Sequence, residues 1–112
     1  MNSYTGIVQK SSGEGARLGF PTANIPLESE SLSGIYAATV QVGEKKYHAA
    51  TYADTRRKLL EAHLLDFEGE LYGKEINIRI EKKIREDKLF ADEEELKRVI
   101  AADVAAVRAY FK

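Results

Sequence analysis

The chain has 112 residues, 44% of them hydrophobic and 31% charged, with 17 basic against 18 acidic side chains and a formal net charge of -1. That length fits one domain with one modest core, and the even charge balance argues against a nucleic-acid or membrane partner, which usually calls for a basic excess. The absence of cysteine excludes disulfides, thiolate catalysis and cysteine-based zinc sites.

The N-terminal Met-Asn-Ser-Tyr-Thr-Gly carries no apolar signal core, and no apolar run approaches transmembrane length. The expectation is a soluble, cytoplasmic protein. Up to about Arg85 the chain shows short alternating segments punctuated by Gly, Ser and Pro. Tyr4 to Val8 reads as a short strand. Ser11 to Gly19 reads as a loop containing Gly13, Gly15 and Gly19. The polar stretch Glu28 to Ser33 reads as a mobile loop. Ile35 to Val42 is rich in β-branched and aromatic residues, Val42 to Lys46 reads as a turn, and Tyr47 to Tyr52 as the returning strand. Leu59 to Phe67 is apolar apart from Glu61, His63 and Asp66. Glu68-Gly69-Glu70 reads as another hairpin turn.

The clearest strand runs from Glu75 to Ile84, where Ile76, Ile78 and Ile80 alternate with Asn77, Arg79 and Glu81. Short strands joined by short turns suggest an antiparallel sheet, and closing it into a barrel would remove exposed edges. From about Asp92 the spacing turns helical. Asp92 is a good N-cap and Glu95 stands where a capping-box partner belongs. Leu96, Val99, Ile100, Val104, Val107, Tyr110 and Phe111 recur at three and four residues, so one stripe should pack the helix on the barrel. The whole reads as one domain over 1–112, with the barrel over about 1–90 and the helix over about 92–111. A monomer is expected, because the barrel accounts for the helix stripe.

Four segments could carry chemistry. Ser11-Ser12-Gly13-Glu14-Gly15 is small enough for backbone N–H groups to approach a phosphate, although it also describes a plain loop and lacks a P-loop ending. In Gly19-Phe20-Pro21-Thr22-Ala23-Asn24-Ile25, an extended backbone would point Thr22 and Asn24 to one side. A hydroxyl and an amide oxygen together suit Mg²⁺, while Pro, Thr and Asn also favour turns. Glu61 and His63 share a face opposite Ala62 and Leu64. A carboxylate inside an apolar strand is costly unless paired or used, and Glu61 could act as a base on an alcohol or simply face solvent. In the charged run Lys82 to Lys88, Arg85 could reach a phosphate, although such a run usually marks a solvated strand end.

Taken in order, these segments resemble the riboflavin kinase family. Leu18-Gly19-Phe20-Pro21-Thr22-Ala23-Asn24-Ile25 is similar to one signature of that family, as is Gly34-Ile35-Tyr36-Ala37. Glu61 to Phe67, followed by Leu71-Tyr72-Gly73-Lys74, resembles a second. Ile84-Arg85-Glu86-Asp87 with Phe90, then Glu94-Glu95-Leu96 and Asp103, resembles its C-terminal segment. The resemblance covers nearly the whole chain. It implies a mainly β protein, a six-stranded antiparallel Greek-key β-barrel with a C-terminal α-helix packed on it. It implies ATP, riboflavin and Mg²⁺ or another divalent ion as ligands, and FMN and ADP as products.

The site residues follow from the same resemblance. Thr22 and Asn24 would bind Mg²⁺ and nucleotide phosphate. Ser12, Gly13, Gly15, Arg17, Pro21 and His63 would complete the nucleotide site. Glu61 would orient the ribityl 5′-hydroxyl and accept its proton, and Arg85 and Phe90 would lie on the flavin side. Three departures stand out. Ala16 occupies a position usually basic, with Arg17 beside it as a substitute. Thr51 to Arg57 replaces a longer segment that contains Gly and Pro. Leu89 stands where a Lys commonly precedes the Phe. Bacterial members are commonly fused to an N-terminal FMN adenylyltransferase, so the sequence reads either as a stand-alone kinase or as a domain excised from such a bifunctional FAD synthetase. The alternatives are a flavin- or nucleotide-binding barrel that has lost catalysis, and an unrelated structural barrel.

Overall fold

Alternation of apolar and polar residues decides which side of each strand is covered. In a computed structural model, which describes residues 2–29 and 31–112, the elements are β1 (Ser3–Ile7), a helical turn α1 (Glu14–Arg17), β2 (Ala23–Pro26), β3 (Gly34–Val42), β4 (Lys45–Asp54), β5 (Leu59–Leu64), β6 (Glu75–Arg85) and α2 (Glu93–Tyr110). Glu30, inside the polar stretch from Glu28 to Ser33, lies outside the described residues, as does Met1.

The six strands form one antiparallel sheet in the order β1-β6-β3-β4-β5-β2. Strands β3, β4 and β5 follow one another through short turns, and β6 returns to lie beside β3, which is the Greek-key order. A single antiparallel bridge between Gln9 and Asn24 brings the two edges together, so the sheet is a nearly closed barrel. Pro26, which has no N–H to give a ladder, ends the edge strand β2, where proline is tolerated. Among the described residues no helix is long and apolar enough to cross a membrane.

Inside the barrel stand Ile25, Val40, Leu60, Ile76 and Ile78, all essentially inaccessible. Burying each such side chain stabilises the fold by about 1.5–3 kcal/mol. Thr51 faces the same interior and its hydroxyl finds no partner among the described residues. The outer face of β3 and β4 supports the helix, where Val107 packs with Ala37, Leu65, Ala50, Ile84, Val104 and Phe111. Asp92 caps α2 by accepting from the Glu95 amide at 2.9 Å, and the Glu95 carboxylate reaches back to the Ala91 amide at 3.0 Å.

Several sequence expectations need correction. The loop from Ser11 to Gly19 contains α1. The β3–β4 turn is confined to Gly43 and Glu44, so β4 starts at Lys45. Glu68-Gly69-Glu70 is not a hairpin turn, because β5 pairs with β4 and β2 while β6 pairs with β1 and β3. Glycine among polar residues signals a bend but not which strands it joins, and here the chain crosses over. The helix stripe is divided as well. Its C-terminal half packs on the barrel, whereas Leu96 and Ile100 face a cleft and Tyr110 stays 45% exposed.

Candidate active site

The cleft lies on the outside of the barrel. In β5, Leu60, Ala62 and Leu64 are buried in the interior while Glu61 and His63 point out. Cross-strand registers extend this outward row. Asn24 on β2 pairs with Glu61, Glu61 with Tyr52 on β4, Tyr52 with Ile35 on β3, and Ile35 with Arg85 on β6. Paired residues on adjacent strands project to the same side. All five line one cleft of about 760 Å³.

Register shifts in β6 opposite β3, one of them between Ile35 and Tyr36, let Arg85 join this row while Ile84 packs under the helix. Such bulges bend a strand and re-aim its side chains. The walls of the cleft come from the 11–22 loop, the β4–β5 turn, the 85–90 segment and the first turns of α2.

Glu61 is half-buried, and one of its carboxylate oxygens has no partner among the described residues. Burial pushes its pKa up to about 7; the Arg57 charge acts in the opposite direction, and the neighbouring Asp54 carboxylate adds to the rise. A carboxylate poised near neutrality is suited to take a proton from an alcohol. Directly across the strand pair, the buried Asn24 also has an amide oxygen without a partner among the described residues.

The remaining expected residues divide into those that face the cleft and those that hold its walls. Thr22, Ser12, Gly15, His63, Arg85 and Phe90 line it with Asn24 and Glu61. Gly13, Arg17 and Pro21 are not among the lining residues. His63 Nδ1 lies 2.8 Å from the Pro21 carbonyl. A carbonyl only accepts, so Nδ1 carries the proton, and His63 also meets Phe20 edge-on at 5.5 Å. The histidine thus fixes the segment that carries Thr22.

The small-residue loop is closed on itself. Phe20 N–H donates to the Gly15 carbonyl at 2.7 Å, and a Cβ on Gly15 would stand 2.5 Å from the Phe20 carbonyl oxygen, so only glycine fits there. The amides of Gly13 and Glu14 donate to the hydroxyls of Ser11 and Ser12 at 2.9 and 3.3 Å.

Arg17 binds Glu14 and, at 2.6 Å, Glu93 of α2, so it ties α1 to the helix. Arg85 is held in a fork by Asp103, with Nε and Nη2 each at 2.8 Å, and lies 5.8 Å from the Phe90 ring. Tyr52 donates to Asp87 at 2.9 Å, and burial followed by that bond raises its pKa above the ordinary tyrosine value.

Asp54, Arg57, Tyr52 and Asp87 also face the cleft and were missed as site residues. Two-residue spacing puts Tyr52 and Asp54 on the Glu61 face of the adjoining strand, which was the available signal. Asp54-Thr55-Arg56-Arg57-Lys58 has the composition of a solvated turn, which masked it.

Among the described residues no group of three or more His, Cys, Asp or Glu side chains could hold a metal. The unpartnered Asn24 oxygen, the Thr22 hydroxyl and the Glu61 carboxylate are nevertheless hard oxygen donors at one end of the cleft. Such a sparse set fits Mg²⁺, which keeps waters and takes further ligands from a substrate's phosphates. Leu18, Phe20, Leu89, Phe90, Leu96 and Ile100 add apolar surface for a flat ring system, as small-molecule sites commonly do.

A family model described as riboflavin kinase (flavokinase) matches residues 2–111. The chain is 41% identical over 106 residues to the bifunctional riboflavin kinase/FMN adenylyltransferase of Escherichia coli K12, covering 87% of this chain and 34% of that protein. It is 36% identical over 120 residues to the protein of the same name from Buchnera aphidicola subsp. Acyrthosiphon pisum, covering 97% of this chain and 38% of the relative. The chain therefore spans about a third of the length of these curated relatives. A solved structure described as a macrolide-efflux protein from Streptococcus pneumoniae superposes with a TM-score of 0.80 at 24% identity, over 95% of this chain and 38% of that one; at that identity the match speaks for the fold.

Proposed function

The chain belongs to the riboflavin kinase family, and we propose that it transfers the γ-phosphoryl group of ATP to the ribityl 5′-hydroxyl of riboflavin, giving FMN and ADP. The observation that carries this reading is Glu61, a carboxylate raised to about 7 with an unpartnered oxygen in the cleft, beside the unpartnered amide oxygen of Asn24.

Phosphoryl transfer needs alignment, charge neutralisation and a base near the nucleophile more than covalent catalysis. Glu61 hydrogen-bonds the 5′-hydroxyl and takes its proton as the oxygen attacks. Thr22 and Asn24 would hold Mg²⁺, which would offset phosphate charge. The 11–15 loop covers the phosphates, and His63 orients the Pro21–Thr22 segment through the Pro21 carbonyl. Phe90 and the apolar residues of α2 meet the isoalloxazine ring, while Arg85 supports that wall through Asp103. The adenylyltransferase in the relatives' names is not proposed for this chain.

Incubating the purified chain with riboflavin, ATP and Mg²⁺ and separating the flavins by chromatography tests the assignment. FMN formation dependent on all three supports it. Saturable riboflavin binding without FMN would replace it with a binding barrel, a reading favoured by the engagement of Arg17 with Glu14 and Glu93.

A further inference from the structure

Two arginines that the sequence offered for phosphate are committed to carboxylates: Arg17 to Glu14 and Glu93, and Arg85 to Asp103. Arg57 is placed differently. It lies in the turn between β4 and β5, which begins at Asp54, only 4% exposed. Asp54 directs both oxygens to this residue. Oδ1 accepts from the Arg57 amide at 3.1 Å, and Oδ2 faces the Arg57 Nε at 3.7 Å. Turn closure by an Asp side chain is ordinary, but here the same buried carboxylate both closes the turn and places its charge beside the guanidinium.

The outer nitrogens of Arg57 make no hydrogen bond among the described residues, and its side chain is 52% exposed in the cleft that holds Glu61. Its charge acts on the Glu61 carboxylate. Arg56 and Lys88 also line the cleft, but Arg56 has no carboxylate holding it among the described residues, and Lys88 lies 5.5 Å from the Phe90 ring. A guanidinium with a carboxylate near its Nε and its outer N–H groups free among the described residues presents the fork that grips phosphate oxygens.

Resting on the kinase reading, we propose that Arg57 contacts the phosphoryl group during transfer and that Asp54 is the positioning residue that holds it there. In that step the ribityl oxygen bonds to the γ-phosphorus as the bond from phosphorus to the bridging oxygen breaks. The hydroxyl proton goes to Glu61, and the electron pair of the broken bond leaves with ADP. Charge on the peripheral phosphoryl oxygens is what Arg57 offsets, a contribution that preorganised cations make most strongly in the transition state.

The test compares wild type with Arg57→Ala, Arg57→Lys and Asp54→Asn. Readouts are kcat, KM for each substrate, Mg-ATP affinity by calorimetry, and melting temperature. Asparagine can still accept from the Arg57 amide, so Asp54→Asn keeps the turn and loses the ion pair.

Arg57→Ala is expected to lower kcat about 100-fold, as removal of one transition-state donor does, with KM for riboflavin unchanged and partial recovery on adding guanidinium ion. Arg57→Lys should fall between wild type and Arg57→Ala, and Asp54→Asn should lower kcat without raising KM for riboflavin. If wild type makes FMN and Arg57→Ala matches it in kcat and Mg-ATP affinity, this inference is overturned and the kinase reading stands. If wild type makes no FMN, the kinase reading fails instead. Mg-ATP affinity then decides for Arg57: weakening by about an order of magnitude in Arg57→Ala upholds the phosphate contact, on the scale of a charge-assisted bond, and unchanged affinity removes it.

Discussion

Glu61 is the proposed base, and its environment makes its behaviour testable. Its pKa is raised to about 7 chiefly by burial, so the base is ionised only above that pH. The rate of FMN formation should therefore rise with pH through about 7 and level off. Glu61→Gln should remove that limb and lower kcat by about 10²–10⁴, the usual contribution of a positioned base, with riboflavin binding retained; a variant with full rate would remove Glu61 from the mechanism. The same shift has a stability sign. The folded pKa lies above the ordinary glutamate value of 4.5, so the ligand-free fold loses stability as pH rises from about 4.5 through 7, and the loss is complete above that range. Glu61→Gln should raise the melting temperature at pH 8 and leave it unchanged at pH 4, as calorimetry at the two pH values would read.

At the scale of elements, the cleft depends on contacts between pieces distant in sequence. Arg85 at the end of β6 and Asp103 in α2 form the most buried ion pair among the described residues, with Asp103 buried and Arg85 largely so. Asp103→Ala would leave the guanidinium unpaired and should cost about 2 kcal/mol, less than a fully buried pair because Arg85 keeps some water. Urea denaturation would show the loss, and riboflavin affinity should fall with it because Phe90 stands on the same segment. An unchanged affinity would separate the clamp from the flavin wall. Much of this layer was legible beforehand. The two-residue alternation in Glu75 to Ile84 gave β6, and the three-and-four spacing with Asp92 and Glu95 gave α2 and its cap. Thr22, Asn24 and Glu61 could be named from their shared faces and their motifs, and they do line one cleft. What could not be read was partnership. Arg17 looked like a phosphate ligand until Glu93, 76 residues away, proved to bind it. Asp54 was not singled out because its burial is imposed by tertiary packing rather than by its neighbours in sequence.

For the molecule as a whole, the interior of the barrel holds the fold and its outer surface holds the cleft, with α2 serving both. Val107 is completely buried where the helix docks on Ala37 and Leu65, and does not itself line the cleft. Val107→Ala should cost about 1–2 kcal/mol through lost burial and the cavity left behind. It should also weaken riboflavin binding, because Leu96, Ile100 and Asp103 ride on the same helix; denaturation and fluorescence titration of one preparation would measure both, and full affinity with reduced stability would show that the first turns of α2 hold their place unaided. The alternation within β5 carries a further consequence for handling the protein. Leu60 and Ala62 face in where Glu61 and His63 face out, so a strand docked one residue out of register would exchange the two sets together. Such a molecule would present leucines to solvent, offer no base to an alcohol and be prone to aggregate. Partial activity has little room in that exchange: specific activity should count the molecules whose strands are aligned, and refolding yield can be followed by turnover alone.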